Sequence, residues 1–468
     1  MDISDVRDFY ANIMMDTQGL TSEQQEISDQ VKAWHDQHKF VTNTVIVTPD
    51  KVSKLIKSLK NNCSPGMDTI SAEHLKYGHS STLCEHLACL YSAIISWATL
   101  PETLTIGIII PVLKKPSLDP NSPSSYRPIT LSSTHAKLLE YIMMPDDSIS
   151  STQFGFRSGR GTASPCSMLN DIIKTYDEDG SPLYMCSLDA EKCFDRLWHD
   201  GILYKMWHVL SVQHWMVLHN WYKRLQATVK WKNVLSDCFK VTRGVRQGSV
   251  LSPYIFNTFI DNLLQDLAGT DSGIRIGRFH GSSFVYADDI TLYSATITGL
   301  QKLIDICSNY ALTWRFNFNV SKSKCMILGQ HRFITEPTWL LKDAILENTD
   351  CLEILGCCYD SNGAMSSHID KRLTRCRQSF YKLSEVGLSS YSGGLNAHTK
   401  SYLWKSMCLP TLVYGCECIA LGKCGKSDLD SCQGSLIKQT MGIGKRSHHS
   451  HLLNALKIPK VCDVIDKN

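Results

Sequence analysis

Phe284-Val-Tyr-Ala-Asp-Asp-Ile-Thr-Leu-Tyr293 places two adjacent acids between two apolar, β-rich half-strands. The pattern predicts a hairpin whose tip carries Asp288 and Asp289. Asp is frequent in turns simply because its side chain bonds nearby backbone N–H groups, so the pair alone is suggestive only. A second apolar run, Leu183-Tyr-Met-Cys-Ser-Leu188, ends directly in Asp189, and Asp195 follows Phe194 six residues on. If the two strands are neighbours, Asp189, Asp288 and Asp289 cluster. Carboxylates that close repel and raise one another's pKa unless a cation intervenes. Hard oxygen ligands of this kind suit Mg²⁺, and two such ions roughly 4 Å apart drive in-line phosphoryl transfer. The bland alternative is a pair of solvated strand ends with capping acids.

Outward from these acids the chain reads as α+β with little strict βαβ alternation. Ile106 to Leu113 is a short isoleucine-rich run predicted to be a buried strand, ending in Lys114-Lys115-Pro116 and a polar loop up to Tyr126. Helices are expected around Leu203 to Leu225, and a strand near Val229. After Pro253 the residues Ile255, Phe256, Phe259, Ile260, Leu263, Leu264 and Leu267 form one helical stripe, with Ser252 as its expected N-cap. Near the start, Thr21 and Ser22 stand three residues before Gln24 and Gln25, a capping-box spacing for a helix toward Trp34. A helix from Thr48 to Lys60 ends at Asn61-Asn62, a turn follows at Ser64-Pro65-Gly66, and an amphipathic stretch runs through Leu75 and Leu87 to Trp97. From about Met365 the pattern is again mostly helical, with a break expected at Gly393-Gly394.

Three further segments carry candidate binding chemistry. Arg243-Gly-Val-Arg-Gln-Gly-Ser-Val-Leu-Ser-Pro253 is a glycine-bracketed turn entering the long helix. Gly244 and Gly248 allow close backbone approach, and Gln247 with the two arginines supplies donors for base, sugar or phosphate. Lys114 and Arg127 flank the first hairpin loop, a placement suited to a triphosphate. Phe316-Asn-Phe-Asn-Val-Ser-Lys-Ser-Lys324 offers Lys322 as a proton donor to leaving pyrophosphate. Each segment also has a plain reading, as a loop, a cap or a solvated lysine.

Composition bounds the answer without naming it. The chain has 468 residues, 43% hydrophobic and 20% charged, which suits a globular protein of two or three lobes. A net charge of +3 leaves phosphate binding to local clusters. Nineteen scattered cysteines fit a reducing compartment, and no run approaches the ~18 apolar residues of a membrane span. A cytoplasmic or nuclear chain that is not secreted is expected. Cys416, Cys418, Cys424 and Cys432 with His448, His449 and His451 lack regular zinc-ligand spacing.

In chain order these segments resemble the reverse transcriptases of non-LTR, LINE-type retrotransposons over about Ser64 to Gly415. The ordered motifs are Ser64-Pro-Gly-Met-Asp68, Tyr126-Arg-Pro-Ile129, Gln153-Phe-Gly-Phe-Arg157, Leu188-Asp-Ala-Glu-Lys-Cys-Phe-Asp195, Arg243 to Pro253, Tyr286-Ala-Asp-Asp289, Asn319 to Lys324, Leu355-Gly356 and Pro410-Thr-Leu-Val-Tyr-Gly415. The resemblance implies a right-hand polymerase with an antiparallel palm sheet packed on helices. Its parts would be an N-terminal helical extension (1–60), fingers with the first part of the palm (61–182), the palm (183–360) and a thumb-like helical region (361–468). It implies RNA-directed DNA synthesis with two Mg²⁺ ions, for which Mn²⁺ substitutes, and with RNA template, DNA primer and dNTPs as partners. Asp189 and Asp288 would hold the metals beside Asp289, and Phe194 would crowd a ribose 2′-OH. Gln247 and Gly248 would line the nascent base pair, Lys114 and Arg127 would contact the triphosphate, and Tyr286 would lie beneath the primer end. The interval from Glu140 to Gln153 is shorter than that family's usual connection. No endonuclease is legible before the polymerase segment, so a separate endonuclease or RNA-binding protein of the element is an expected partner, and no membrane is. Two other readings stay open: a nonpolymerising remnant that keeps the fold and nucleic-acid binding, and a two-metal nuclease, which leaves Phe194, Gln247 and Arg127 without roles.

Overall fold

A computed structural model describes residues 1–41, 43–145, 149–329, 336–388, 395–419 and 421–467. It divides into two compact units, each discontinuous in sequence: residues 1–156, 190–269 and 305–319 form one, and residues 157–189, 270–304 and 320–468 the other.

The first unit is built on a sheet in the order Tyr126–Leu131, Ile106–Leu113, Gln226–Trp231, Val234–Leu235, with Phe239–Lys240 also pairing Gln226–Trp231. Ile106–Leu113 runs antiparallel to Tyr126–Leu131 and parallel to Gln226–Trp231, with Ile109 fully buried between them. Its span matches the isoleucine-rich run predicted from sequence. Helix Ser252–Ala268 buries the whole predicted stripe from Ile255 to Leu267. Its N-terminus differs from expectation: Leu251 holds the cap position, and the Ser249 hydroxyl accepts the Ser252 N–H at 3.2 Å. Ser252 is the first helical residue, and the partner of its N–H is the Ser249 hydroxyl. Thr21 and Gln24 form the capping box of helix Ser22–His38. The amphipathic stretch to Trp97 forms two helices, Ala72–Tyr77 and Ser81–Trp97, separated at Gly78 where Ser80 caps the second. The helix expected from Thr48 to Lys60 ends at Ser58, since Leu59 turns to an extended ψ of 145°.

The second unit is built on a sheet in the order Glu347–Asn348, Lys324–Leu328, Leu183–Asp189, Asp289–Ser294, Ser283–Tyr286. The strands Lys324–Leu328, Leu183–Asp189, Asp289–Ser294 and Ser283–Tyr286 pair antiparallel in that order, while Glu347–Asn348 joins Lys324–Leu328 in parallel, and Leu183 to Cys186 is buried without alternation, as a strand covered on both faces requires. After a short hairpin, Cys351–Ile354 with Cys357–Asp360, the chain is helical: Ser366–Ser384, Ala397–Leu403, Leu409–Val413, Lys423–Met441, His449–Ala455 and Val461–Ile465. Cys376, Phe380, Trp404, Leu412, Leu429 and Ile437 form the centre of a helical core there. The predicted break at Gly393-Gly394 lies outside the described residues. Two of the sequence motifs meet in this unit. Tyr414 donates its hydroxyl to the Leu355 carbonyl at 2.8 Å, and a Cβ on Gly356 would come within 3.2 Å of the Tyr414 ring. Among the described residues no helix is long and apolar enough to cross a membrane.

Candidate functional site

In the second unit the predicted hairpin is present: Ser283–Tyr286 and Asp289–Ser294 pair antiparallel, with Asp289 opposite Tyr286. Ala287 and Asp288 make the connection, and Ala287 is held at φ 57°, a left-handed conformation costly for a residue with a Cβ. The strand Leu183–Asp189 lies on the other side, and its register places Asp189 directly opposite Asp289. Strand pairing thus gathers Asp189, Asp288 and Asp289 from segments about a hundred residues apart. Burial, and then the charges of Asp288 and Asp189, push the Asp289 carboxyl up to about 6, partly offset by Lys322. Asp289 itself retains surface exposure at the start of its strand. Lys322 places its Nζ 3.1 Å from Asp189 Oδ2, and the Asp189 amide donates to Ser323 Oγ at 3.2 Å. The lysine is 64% exposed, which leaves the pair weak and easily exchanged for another cation.

Whether a metal suits this cluster is settled by donor type and charge. The three side chains offer only carboxylate oxygens, the set Mg²⁺ takes, and Lys322 is ion-paired with one of the three, Asp189. Among the described residues no three acidic, His or Cys side chains already stand at ion-holding distances, and Asp189 is engaged by Lys322. The residues fit the ion in chemistry; an ion would have to displace the lysine.

The first unit holds Lys114, Arg127, Phe194, Gln247 and Gly248. Lys114 donates its Nζ to the Ser124 carbonyl at 2.7 Å, while Arg127 lies exposed on the strand opposite Val112, so the basic hairpin is as read from sequence. Phe194 stacks on Phe256 with ring centroids 4.7 Å apart and meets Phe156 edge-on at 5.6 Å. Its ring is half-buried, with a firm aromatic backing.

The glycine turn is different from its sequence reading. Arg243 and Arg246, expected as ligand donors, both point into protein. Arg243 Nε donates to the Ile13 carbonyl at 2.6 Å. Arg246 binds the Leu104 carbonyl at 3.3 Å and Glu140 Oε1 at 3.2 Å, and it lies 4.7 Å over the Trp221 ring. Glu140 is 3% exposed and accepts the Val250 N–H at 2.6 Å; burial holds its carboxyl above the usual range while Arg246 pulls it back. Gly244, at φ 85°, approaches protein backbone: a Cβ there would lie 2.5 Å from the Asp195 carbonyl oxygen. The Gly244 N–H donates to Leu197 O and the Val245 N–H to Phe194 O, each at 2.7 Å. Gln247 donates its Nε2 to Asp195 Oδ1 at 2.7 Å. Sequence reasoning noted Asp195 but gave it no role, and gave none to Glu140. For Glu140 a signal existed, an acid inside the apolar run Leu138-Leu-Glu-Tyr-Ile-Met143.

Residues 113–358, just over half the chain, match the family described as reverse transcriptase (RNA-dependent DNA polymerase). The chain is 27% identical over 384 residues to a probable RNA-directed DNA polymerase from transposon BS of Drosophila melanogaster, covering 79% of this chain and 41% of that protein. It is 24% identical over 437 residues to the RNA-directed DNA polymerase from mobile element jockey of Drosophila funebris, covering 90% and 46%. A probable RNA-directed DNA polymerase from transposon X-element of Drosophila melanogaster is 26% identical over 443 residues, covering 90% and 47%. The chain therefore spans less than half the length of these relatives. By the match to its sequence from the first hairpin to the strand at Cys357, the chain belongs to the reverse transcriptase family.

Proposed function

We propose that this chain is the polymerase portion of a non-LTR retrotransposon protein, an RNA-directed DNA polymerase that extends a DNA primer on an RNA template. The observation that carries the reading is the cross-strand pairing of Asp189 with Asp289, with Asp288 in the adjoining turn. It is supported by the family match and by relatives whose names are RNA-directed DNA polymerases.

In this reading the fold is of the right-hand polymerase kind. An N-terminal helical extension covers 1–60 and fingers with the first part of the palm 61–182; the palm covers 183–360 and a thumb-like region 361–468. The antiparallel strands between Leu183 and Leu328 and the helices after Ser366 support the last two assignments. Asp189 and Asp288 are the residues that would hold two Mg²⁺ ions, with Asp289 alongside. When bound, the ions lower the pKa of the attacking primer hydroxyl and balance charge on the α-phosphate and leaving pyrophosphate. Lys322 covers the Asp189 charge in the resting protein and is the proton donor assigned to pyrophosphate. Lys114 and Arg127 receive the triphosphate. Phe194, braced by Phe256 and Phe156, excludes a 2′-OH by bulk. Gln247 and Gly248 line the nascent base pair, and Tyr286 supports the primer end.

Primer extension by the purified chain on poly(rA)/oligo(dT) with dTTP, in Mg²⁺ or in EDTA, tests the reading. Metal-dependent dTTP incorporation supports it. Folded protein that binds the template and incorporates nothing overturns it in favour of a nonpolymerising remnant.

A further inference from the structure

We infer that Asp195 is a positioning residue whose carboxylate fixes the side-chain amide of Gln247 in one orientation for the incoming nucleotide. The inference rests on the role just proposed for Gln247 and adds a residue to it.

Asp195 lies in the short helix Cys193–Arg196 and is 6% exposed. A buried carboxylate is costly unless hydrogen-bonded, and Gln247 Nε2 is a donor to it at 2.7 Å. Burial raises its carboxyl, and the hydrogen bond from Gln247, then the charges of Lys192, Lys114 and Arg196, partly offset that by favouring the charged form. The carboxylate is not needed to hold the two chain segments together. Backbone does that already, through Val245 N–H to Phe194 O, Gly244 N–H to Leu197 O and the bridge between Trp198 and Arg243. The Gln247 carbonyl is likewise held by the Thr130 N–H at 2.7 Å. What the carboxylate adds is a choice between the two nearly isosteric orientations of the Gln247 amide. A carboxylate only accepts, so it selects the NH₂ end and thereby sets which way Oε1 faces. Because Phe194 is the preceding residue, one short segment carries both the ring assigned to sugar discrimination and the pin for the amide.

Asp195→Asn keeps the shape and removes the choice, since an asparagine amide pairs with Gln247 in either orientation. In steady-state primer extension the variant is expected to raise KM for dTTP about tenfold while kcat changes by less than about threefold. Gln247→Ala raises KM by itself, and Asp195→Asn added to it gives no further rise if Asp195 acts through Gln247. An unchanged KM in the single variant, or an independent tenfold effect in the Gln247→Ala background, overturns the inference. If the parent chain shows no extension, the polymerase reading fails separately, and the pin is judged by melting temperature. Gln247→Ala should then lower Tm in the parent and by distinctly less in the Asp195→Asn background. Equal losses in both backgrounds overturn the pin.

Discussion

The acid hairpin around Asp288 and the glycine turn around Arg246 both concentrate charge in a few residues, and they treat it in opposite ways. At the turn, Arg246 and Glu140 meet in the interior; Glu140 also takes a backbone N–H, and Arg246 covers the Trp221 ring. Each charge there is answered by protein. At the hairpin, Asp289 is raised to about 6 by burial and by two acids of its own sign, and the neighbouring lysine is largely in solvent. Three acids gathered there add repulsion that the turn avoids, so on the proposed function the difference separates charge that braces from charge kept for a ligand.

The largest effect should come from the hairpin. Asp288→Asn is expected to reduce primer extension by about a thousandfold or more, because the interaction lost belongs to the transition state. Its Tm should not fall, since removing one of three like charges relieves Asp289. A variant with near-parent extension would remove Asp288 from the metal site, and one that melts far below the parent would place the acids among the structural charges.

The turn should respond in the reverse sense. Arg246→Ala leaves Glu140 buried without its cation and is expected to destabilise by roughly 3 kcal/mol, read as a fall in Tm or in the denaturation midpoint. Joint replacement by Arg246→Met and Glu140→Leu should restore much of the loss, because two apolar groups of similar size leave no charge to compensate. If Arg246→Ala instead melts like the parent while nucleotide KM rises, the arginine belongs to the ligand after all.

This contrast also marks where the sequence was legible. Periodicity and local chemistry located the strand Ile106–Leu113, the buried stripe from Ile255 to Leu267 and the hairpin tip at Asp288, because each signal is contained in fewer than twenty residues. The partners of charged side chains were not legible. Arg246 is answered by Glu140 and Arg243 by the carbonyl of Ile13, and no local pattern in the turn encodes contacts so distant along the chain. The N-cap expected at Ser252 failed for a smaller reason. Where several Ser residues compete to cap an end, as Ser249 and Ser252 do, the winner is chosen by tertiary geometry. The gathering of Asp189 with Asp288 and Asp289 was legible because these acids end or interrupt apolar strands; Asp195 was noted without a role because the sequence does not reveal that it is buried or which amide it holds.

Phe194→Val tests a milder expectation. Removing the ring opens space beside Phe256 and Phe156, and the preference for dTTP over the ribonucleotide, as a ratio of kcat/KM, should fall about tenfold. Parent-like selectivity in an active variant would leave the Phe194 ring as packing alone.

The smallest expected effect bears on whether Asp195 sides with the bracing charges or with the working ones. Burial pushes its carboxyl up to about 6, and the hydrogen bond from Gln247, then Lys192, Lys114 and Arg196, pull the other way. The folded chain therefore holds the Asp195 proton more tightly than the unfolded chain, in which the carboxyl has its ordinary pKa of 3.8. Between these two values the folded state binds more protons, so this group's contribution makes stability fall as pH rises from about 4 to about 6 and level off above. Asp195→Asn does not titrate. Its Tm relative to the parent should be lowest near pH 4, rise through this window by a few °C, on the order of 2, and stay constant from pH 6.5 to 8. A difference that runs the other way, with the parent gaining on the variant as pH rises, would mean that the folded chain favours the ionised carboxyl and that Asp195 braces the fold as a charge. A rise in relative Tm together with a higher KM for dTTP would class Asp195 as charge kept at a cost in stability for its effect on the nucleotide.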